Sequence, residues 1–175
     1  EPITMKDGSV AYALKDLEVR GRRVLVRFYF NVPLNDKGQI TNVKRLTSAV
    51  PTITTILNAG GRLVIMSHLG RPKGKPLDSL SLKPVLQWLS DELNKPIAFS
   101  KNITGPKALR MSKSLKDGEI LILENIRFDP REELGDTAFA KELSELGDIY
   151  VNDAFGTAHR EHASTATIAD YFKGC

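Results

Sequence analysis

The chain has 175 residues, 41% hydrophobic and 26% charged, with a formal net charge of +4. That length fits one globular domain, able to bury about 70% of its unfolded surface without a disulfide or metal staple, and the composition excludes a disordered, collagenous or coiled-coil chain. The small positive excess suits an anionic small molecule and does not mark a nucleic-acid binder; no apolar run reaches transmembrane length, and Glu1 to Leu14 lacks the apolar stretch of a secretory signal.

Both termini read as unfinished. Met5 is the first methionine, so Glu1 to Thr4 reads as an added remnant, and Lys173-Gly174-Cys175 stops without a closing pattern. A cut chain is expected. Cys175 is the only cysteine, which rules out an intrachain disulfide and fits a reducing, cytoplasmic setting.

Val24 to Phe30 is nearly continuous apolar, as in a strand covered on both faces. Leu46, Val50, Ile53 and Leu57 form a helical stripe from Arg45 to Gly60, with Pro51 expected to kink it. Arg62 to Ser67 holds a second buried strand. Ser81 is placed to cap a helix carrying Leu82, Leu86, Leu89 and Leu93, with Pro96 beyond its end. Ile97 to Phe99 predicts a short strand, and Gly105 to Leu115 a weaker helix. Glu119 to Glu124 predicts another buried strand. Asp136 is placed to cap a helix with Phe139, Leu143 and Leu146 on one stripe, stopped by Gly147. Asp148 to Asn152 predicts a further strand, and Ser164 to Phe172 a helix. Alternating strands and helices imply an α/β, Rossmann-like, three-layer domain: a parallel sheet with helices on both faces.

In such sheets ligands bind outside the carboxyl ends of the strands. The residues there are Asn31 after the first strand, Ser67-His68-Leu69-Gly70-Arg71 after the second, Glu124-Asn125-Ile126-Arg127 after the Ile120–Leu123 strand, and Asn152 to Arg160 after the Ile149–Val151 strand. The three histidines, His68, His159 and His162, fall in two of these loops. Arg71, Arg127 and Arg160 fall on three, and Arg45 opens the first helix. Converging cations need an anion between them, and the planar guanidinium fork suits carboxylate and phosphate. Taken singly, each arginine reads equally well as a surface or salt-bridged residue; taken as a set, they favour an anion site.

Other chemistries fit less well. The histidines lack cysteine partners and the usual zinc spacing, so no metal site is expected. There is no G-x-S-x-G elbow and no G-x-G-x-x-G. Gly70 to Pro76 approaches a Walker A loop but is one residue short, with Pro76 in place of Ser or Thr.

Arg27 to Pro33, Ser67 to Pro72, Leu123 to Phe128 and Val151 to Arg160 together resemble phosphoglycerate kinase. The last, V-N-D-A-F-G-T-A-H-R, is long enough to be highly specific. The resemblance runs from about Leu17 to about Ala169 and covers the family's N-terminal half. It implies that residues 1–175 form the 3-phosphoglycerate-binding domain. The domain that holds Mg-ATP or Mg-ADP would be absent, and this domain would bind no cofactor of its own. The implied activity is glycolytic phosphoryl transfer between ATP or ADP and the carboxyl group of 3-phosphoglycerate, with the isolated chain inactive. The alternative is a diverged or altered, non-catalytic anion-binding domain of the same fold. A monomer is expected, with no nucleic-acid or membrane partner.

By the same resemblance Arg45 is the catalytic arginine, holding the substrate carboxylate and stabilising the phosphoryl group in flight. Tyr29, Phe30, Asn31, His68, Leu69, Gly70, Arg71, Arg127 and Arg160 complete the implied substrate site, while Asn152 and Asp153 shape their loop. One departure stands out. The family reads R-V-D-F-N-V-P where this chain reads Arg27-Phe28-Tyr29-Phe30-Asn31-Val32-Pro33. Tyr29 replaces the Asp that meets a substrate hydroxyl, and Phe28 replaces a small aliphatic. Two enlarged neighbours are expected to overpack the strand end by about 1–3 kcal/mol.

Overall fold

In the computed structural model, residues 3–5, 10–11, 19–153, 163–164 and 167–172 are described. The apolar runs become strands whose alternate side chains enter two separate cores. The elements are β1 (Ile3–Met5), β2 (Val10–Ala11), β3 (Arg23–Arg27), α1 (Lys44–Asn58), β4 (Arg62–Met66), α2 (Lys83–Leu93), β5 (Ala98–Ser100), α3 (Pro106–Lys113), β6 (Ile120–Leu123), α4 (Thr137–Ser144) and β7 (Ile149–Asn152). One sheet runs β2-β1-β7-β3-β4-β6-β5. Strands β3 to β7 are mutually parallel.

Val24, Val26, Leu63 and Ile65 face α1 and α2, meeting Leu46, Ile53, Val85 and Leu89. Leu25, Val64, Met66, Leu121 and Leu123 face α3 and α4, meeting Ala108, Phe139 and Leu143. Connections after β3 and β4 therefore leave toward one face, and those after β5 and β6 toward the other. The crevice between β4 and β6 is the point where the winding reverses. In open α/β sheets that is where ligands bind.

The structure corrects the sequence reading at several points. Residues 3–5 are built into the sheet: Ile3–Met5 pairs antiparallel with β7 and with β2, so the sheet is parallel only in its five-strand core. Strand β3 stops at Arg27, three residues before its predicted end. Helix α1 runs through Pro51 and ends at Asn58, before Gly60. The α2 N-terminus is held chiefly by Glu124: Oε1 accepts from the Leu82 N–H and Oε2 from the Ser81 hydroxyl, each at 2.8 Å. Ser81 adds a longer contact of 3.3 Å from the Lys83 N–H. Asp136 caps α4 as expected, accepting from Phe139 N–H at 2.8 Å. The end of the Ser164–Phe172 segment is a 3-10 turn over Thr167–Tyr171. Phe28 is buried and stacks on Phe30, ring centroids 5.0 Å apart.

Candidate functional site

Asn31, Arg45, Gly70 and Arg127 come from four separate parts of the chain and form one hydrogen-bonded series. Arg45 Nη1 donates to the Asn31 carbonyl at 3.2 Å. The Asn31 side-chain oxygen accepts the Gly70 N–H at 2.8 Å. Arg127 Nη1 lies 3.4 Å from the Gly70 carbonyl, at the long end of hydrogen-bond range. Gly70 is thus engaged on both sides of its peptide unit. Its φ is +64°, a backbone conformation that favours glycine, and an added Cβ would lie 2.7 Å from a Leu80 methyl, which would have to shift.

The loops carrying these groups are tied down beneath. Asn125 is fully buried; its amide donates to the Leu69 and Leu80 carbonyls, and its oxygen accepts the Arg127 N–H at 3.0 Å. Ser67 Oγ accepts the Phe30 N–H at 2.9 Å, joining the loop after β3 to the end of β4. Ile126 N–H reaches the Ser67 carbonyl. These positioning residues were not singled out in the sequence. Their signal was the polar run Ser67-His68 and Glu124-Asn125 directly after apolar strands.

His68 is buried and lies beside Arg27, whose Nη2 is 2.8 Å from Nδ1 of the ring. Arg27 is only 1% exposed. Its Nε donates to Ser164 Oγ at 3.0 Å, and Nη1 donates to the Phe28 carbonyl. Glu132, also fully buried, accepts from the Ser164 N–H at 2.7 Å and from the Ser164 hydroxyl. Burial pushes the Glu132 carboxyl above its ordinary range, with Arg27 and the Ser164 hydrogen bonds pulling the other way. Burial likewise lowers Arg27, opposed by Glu132. Tyr150 donates to the Ser164 carbonyl at 2.6 Å, and burial raises its phenol strongly.

Tyr29 covers this network from the site side. Its ring centre is 4.2 Å from the Arg27 guanidinium carbon, and it meets His68 edge-on at 5.8 Å. Its hydroxyl is buried without a hydrogen-bond partner among the described residues. Phe30 and Leu69, carried over as site residues, send their side chains into the α1–α2 core, 0% and 1% exposed. Asn31, Arg45 and Arg71 are exposed, and Arg127 is buried. Arg160, His159, His162 and Cys175 lie outside the described residues. Asp153 N–H donates to the Arg27 carbonyl at 3.0 Å. Away from the site, Arg23, Arg62 and Arg131 are salt-bridged to Asp148, Asp117, and Asp129 with Glu142. Among the described residues, neither Arg45 nor Arg71 has a carboxylate within salt-bridge range. The arrangement links Arg45 and Arg127 through Asn31 and Gly70 at the carboxyl ends of the parallel strands.

The family model for phosphoglycerate kinase matches residues 14–175. The chain belongs to the phosphoglycerate kinase family. Phosphoglycerate kinases of Prosthecochloris aestuarii and Chlorobium phaeovibrioides are 52% and 51% identical to it over 158 residues, taking in 90% of this chain and 40% of each relative. The solved phosphoglycerate kinase of Coxiella burnetii matches with a TM-score of 0.81 at 40% identity, covering 91% of this chain and 39% of that one. That of Pyrococcus horikoshii OT3 gives 0.79 at 32% identity, covering 90% and 40%. The chain therefore spans about 40% of the length of the curated relatives it matches. Among the described residues, no helix is long and apolar enough to cross a membrane.

Proposed function

We propose that this chain is the acid-substrate half of a glycolytic phosphoglycerate kinase, binding 3-phosphoglycerate and 1,3-bisphosphoglycerate at the carboxyl ends of β3, β4 and β6. The observation that carries it is the linked series Arg45–Asn31–Gly70–Arg127 at the winding reversal of the sheet. Fixed cations around a small anion suit phosphoryl transfer, where positioning and charge stabilisation do most of the work. Exposed Arg45, free of any carboxylate partner among the described residues, holds the reacting carboxylate and the phosphoryl group in flight. His68, Arg71, Arg127 and Arg160 hold the phosphate and backbone of the ligand. Mg-ATP or Mg-ADP is the co-substrate, held by the second domain of the whole enzyme. The working form is a cytoplasmic monomer with neither nucleic-acid nor membrane partners.

Calorimetric titration of 3-phosphoglycerate into the 175-residue chain tests this. Saturable binding, weakened about tenfold or more by Arg127→Gln, is expected from loss of a charged hydrogen-bond donor. Turnover with ATP is expected to be absent from the pure isolated chain. With a nucleotide domain restored, Arg45→Ala is expected to lower kcat rather than affinity alone. No binding, or binding indifferent to Arg127, would defeat the proposal. A second reading, a diverged anion-binding domain without catalysis, draws on the Tyr29 ring covering Arg27 where the family pattern has a carboxylate.

A further inference from the structure

We propose that the groove between α3 and the amino ends of β5 and β6 is a second ligand site, which takes an alkyl carboxylate with its chain against the apolar walls and its head on Lys107 and Arg110. The groove has a volume of about 630 Å³, within the range of small-molecule sites. Leu115 and Ile120 are its buried lining, and Ile97, Ala98 and Met111 complete the apolar walls. Ala98 and Ile120 begin β5 and β6, whereas Asn31, Gly70 and Arg127 follow the carboxyl ends of β3, β4 and β6. The groove therefore lies at the opposite end of the parallel strands from the candidate site.

Helix α3 brings the apolar and cationic groups together. Lys107, Arg110, Met111 and Ser114 stand at i, i+3, i+4 and i+7, which is one helix face, and all four line the groove. Over Pro106–Lys113 the helix carries three cations, Lys107, Arg110 and Lys113, and no acidic residue. Arg23, Arg62 and Arg131 each pair with a carboxylate, but among the described residues neither Lys107 nor Arg110 has one within salt-bridge range. Glu119 is the carboxylate of the lining, and its Oε1 accepts the Lys116 N–H at 2.7 Å. Two exposed cations against one carboxylate leave the rim positive. The Ser114 hydroxyl is spent on the Arg110 carbonyl at 2.8 Å, so a neutral, hydroxyl-rich ligand gains little here. An alkyl chain uses the apolar walls, and the guanidinium fork beside an ammonium receives a carboxylate head.

Titration of decanoate, kept below its self-association range, into the 175-residue chain tests the proposal. Calorimetry reads the affinity, and the ¹H–¹³C resonance of the Met111 methyl reads the place. The expected result is saturable binding that moves the Met111 methyl and is indifferent to 3-phosphoglycerate. Joint Lys107→Ala and Arg110→Ala is expected to weaken it about fivefold or more, and replacing decanoate by decanol to do the same. Ala98→Phe, at an exposed edge-strand position, fills the groove and is expected to weaken binding about tenfold or more with the melting temperature kept. No saturable binding, or binding with the Met111 methyl unmoved, overturns the site. Decanol held as tightly as decanoate, or affinity unchanged in the double variant, overturns the anionic head. Displacement by 3-phosphoglycerate puts the ligand in the candidate site and overturns a second one. A concentration-dependent dimer in sedimentation, abolished by Ala98→Phe, assigns the groove to a second copy of the chain and overturns the small-molecule reading.

Discussion

On the α1–α2 side of the sheet the buried apolar core is Val, Leu, Ile, Ala and Phe, and the buried Glu124 carboxylate meets it at the N-terminus of α2. On the α3–α4 side, Arg27, Glu132, Tyr150 and Ser164 are buried next to apolar residues of the same kind. The first core needs only volume and pattern, which apolar exchange can satisfy. The second depends on each polar group keeping its partner, because a buried charge without one is costly. The polar network also lies directly under the candidate site, where Arg27 meets His68 and Tyr29. The side that is harder to build is therefore the side that holds the site's parts in place.

The contrast can be broken by removing one partner. Glu132→Leu leaves the Arg27 charge buried and is expected to cost about 3–5 kcal/mol, against about 0.5–1.5 kcal/mol for Ile53→Val in the opposite core. Urea unfolding monitored by circular dichroism compares them; similar losses would mean that the network is dispensable. Tyr29→Asp sharpens the contrast by giving Arg27 a second carboxylate at the site edge. It is expected to strengthen 3-phosphoglycerate binding by about 1.5–3 kcal/mol through a charge-assisted hydrogen bond to the ligand hydroxyl. Calorimetry reads this directly, and unchanged binding with a lower melting temperature would make Tyr29 a structural cover.

A smaller effect lies in pH. Glu132 has a carboxyl raised above its usual 4.5 in the folded state, so in the window upward from about pH 4.5 the folded chain holds more protons than the unfolded one. Stability then falls as pH rises through that window. Glu132→Gln is expected to flatten the dependence, as read from urea midpoints at successive pH values. The apolar core predicts no such slope. Smallest is Asp136→Ala, which removes the α4 cap for about 1 kcal/mol; a melting curve suffices to detect it.

Much of this architecture was legible because β3, β4, β6 and β7 are continuous apolar runs and because strand ends gather ligand-binding residues. Asp136 was legible because a cap acts within three residues. Strands β1 and β2 were not, since three and two residues carry no period. Glu124 reads locally as a strand-end polar residue, yet it serves the N-terminus of α2, 42 positions away in the chain. Arg27 reads as one charge inside a strand; its partner Ser164 lies 137 positions on. Local pattern reports which side chains want burial, and not which distant groups will satisfy a charge that is buried with them. Phe30 and Leu69 show the reverse case, positions drawn into the site by motif while their side chains belong to the core.

The strand order also sets a timetable for the nascent chain. Strand β7 lies against β3, and the Arg23–Asp148 contact that joins their ends spans 125 positions. At about 5–20 residues per second, roughly 6–25 s of synthesis separate the two. During that interval one edge of β3 presents unpaired N–H and C=O groups beside Leu25 and Val26, the kind of open edge that recruits foreign strands. The most central strand of the sheet is thus the first of the parallel strands to be made and the last to be completed, so its protection before β7 emerges comes from outside the parallel core.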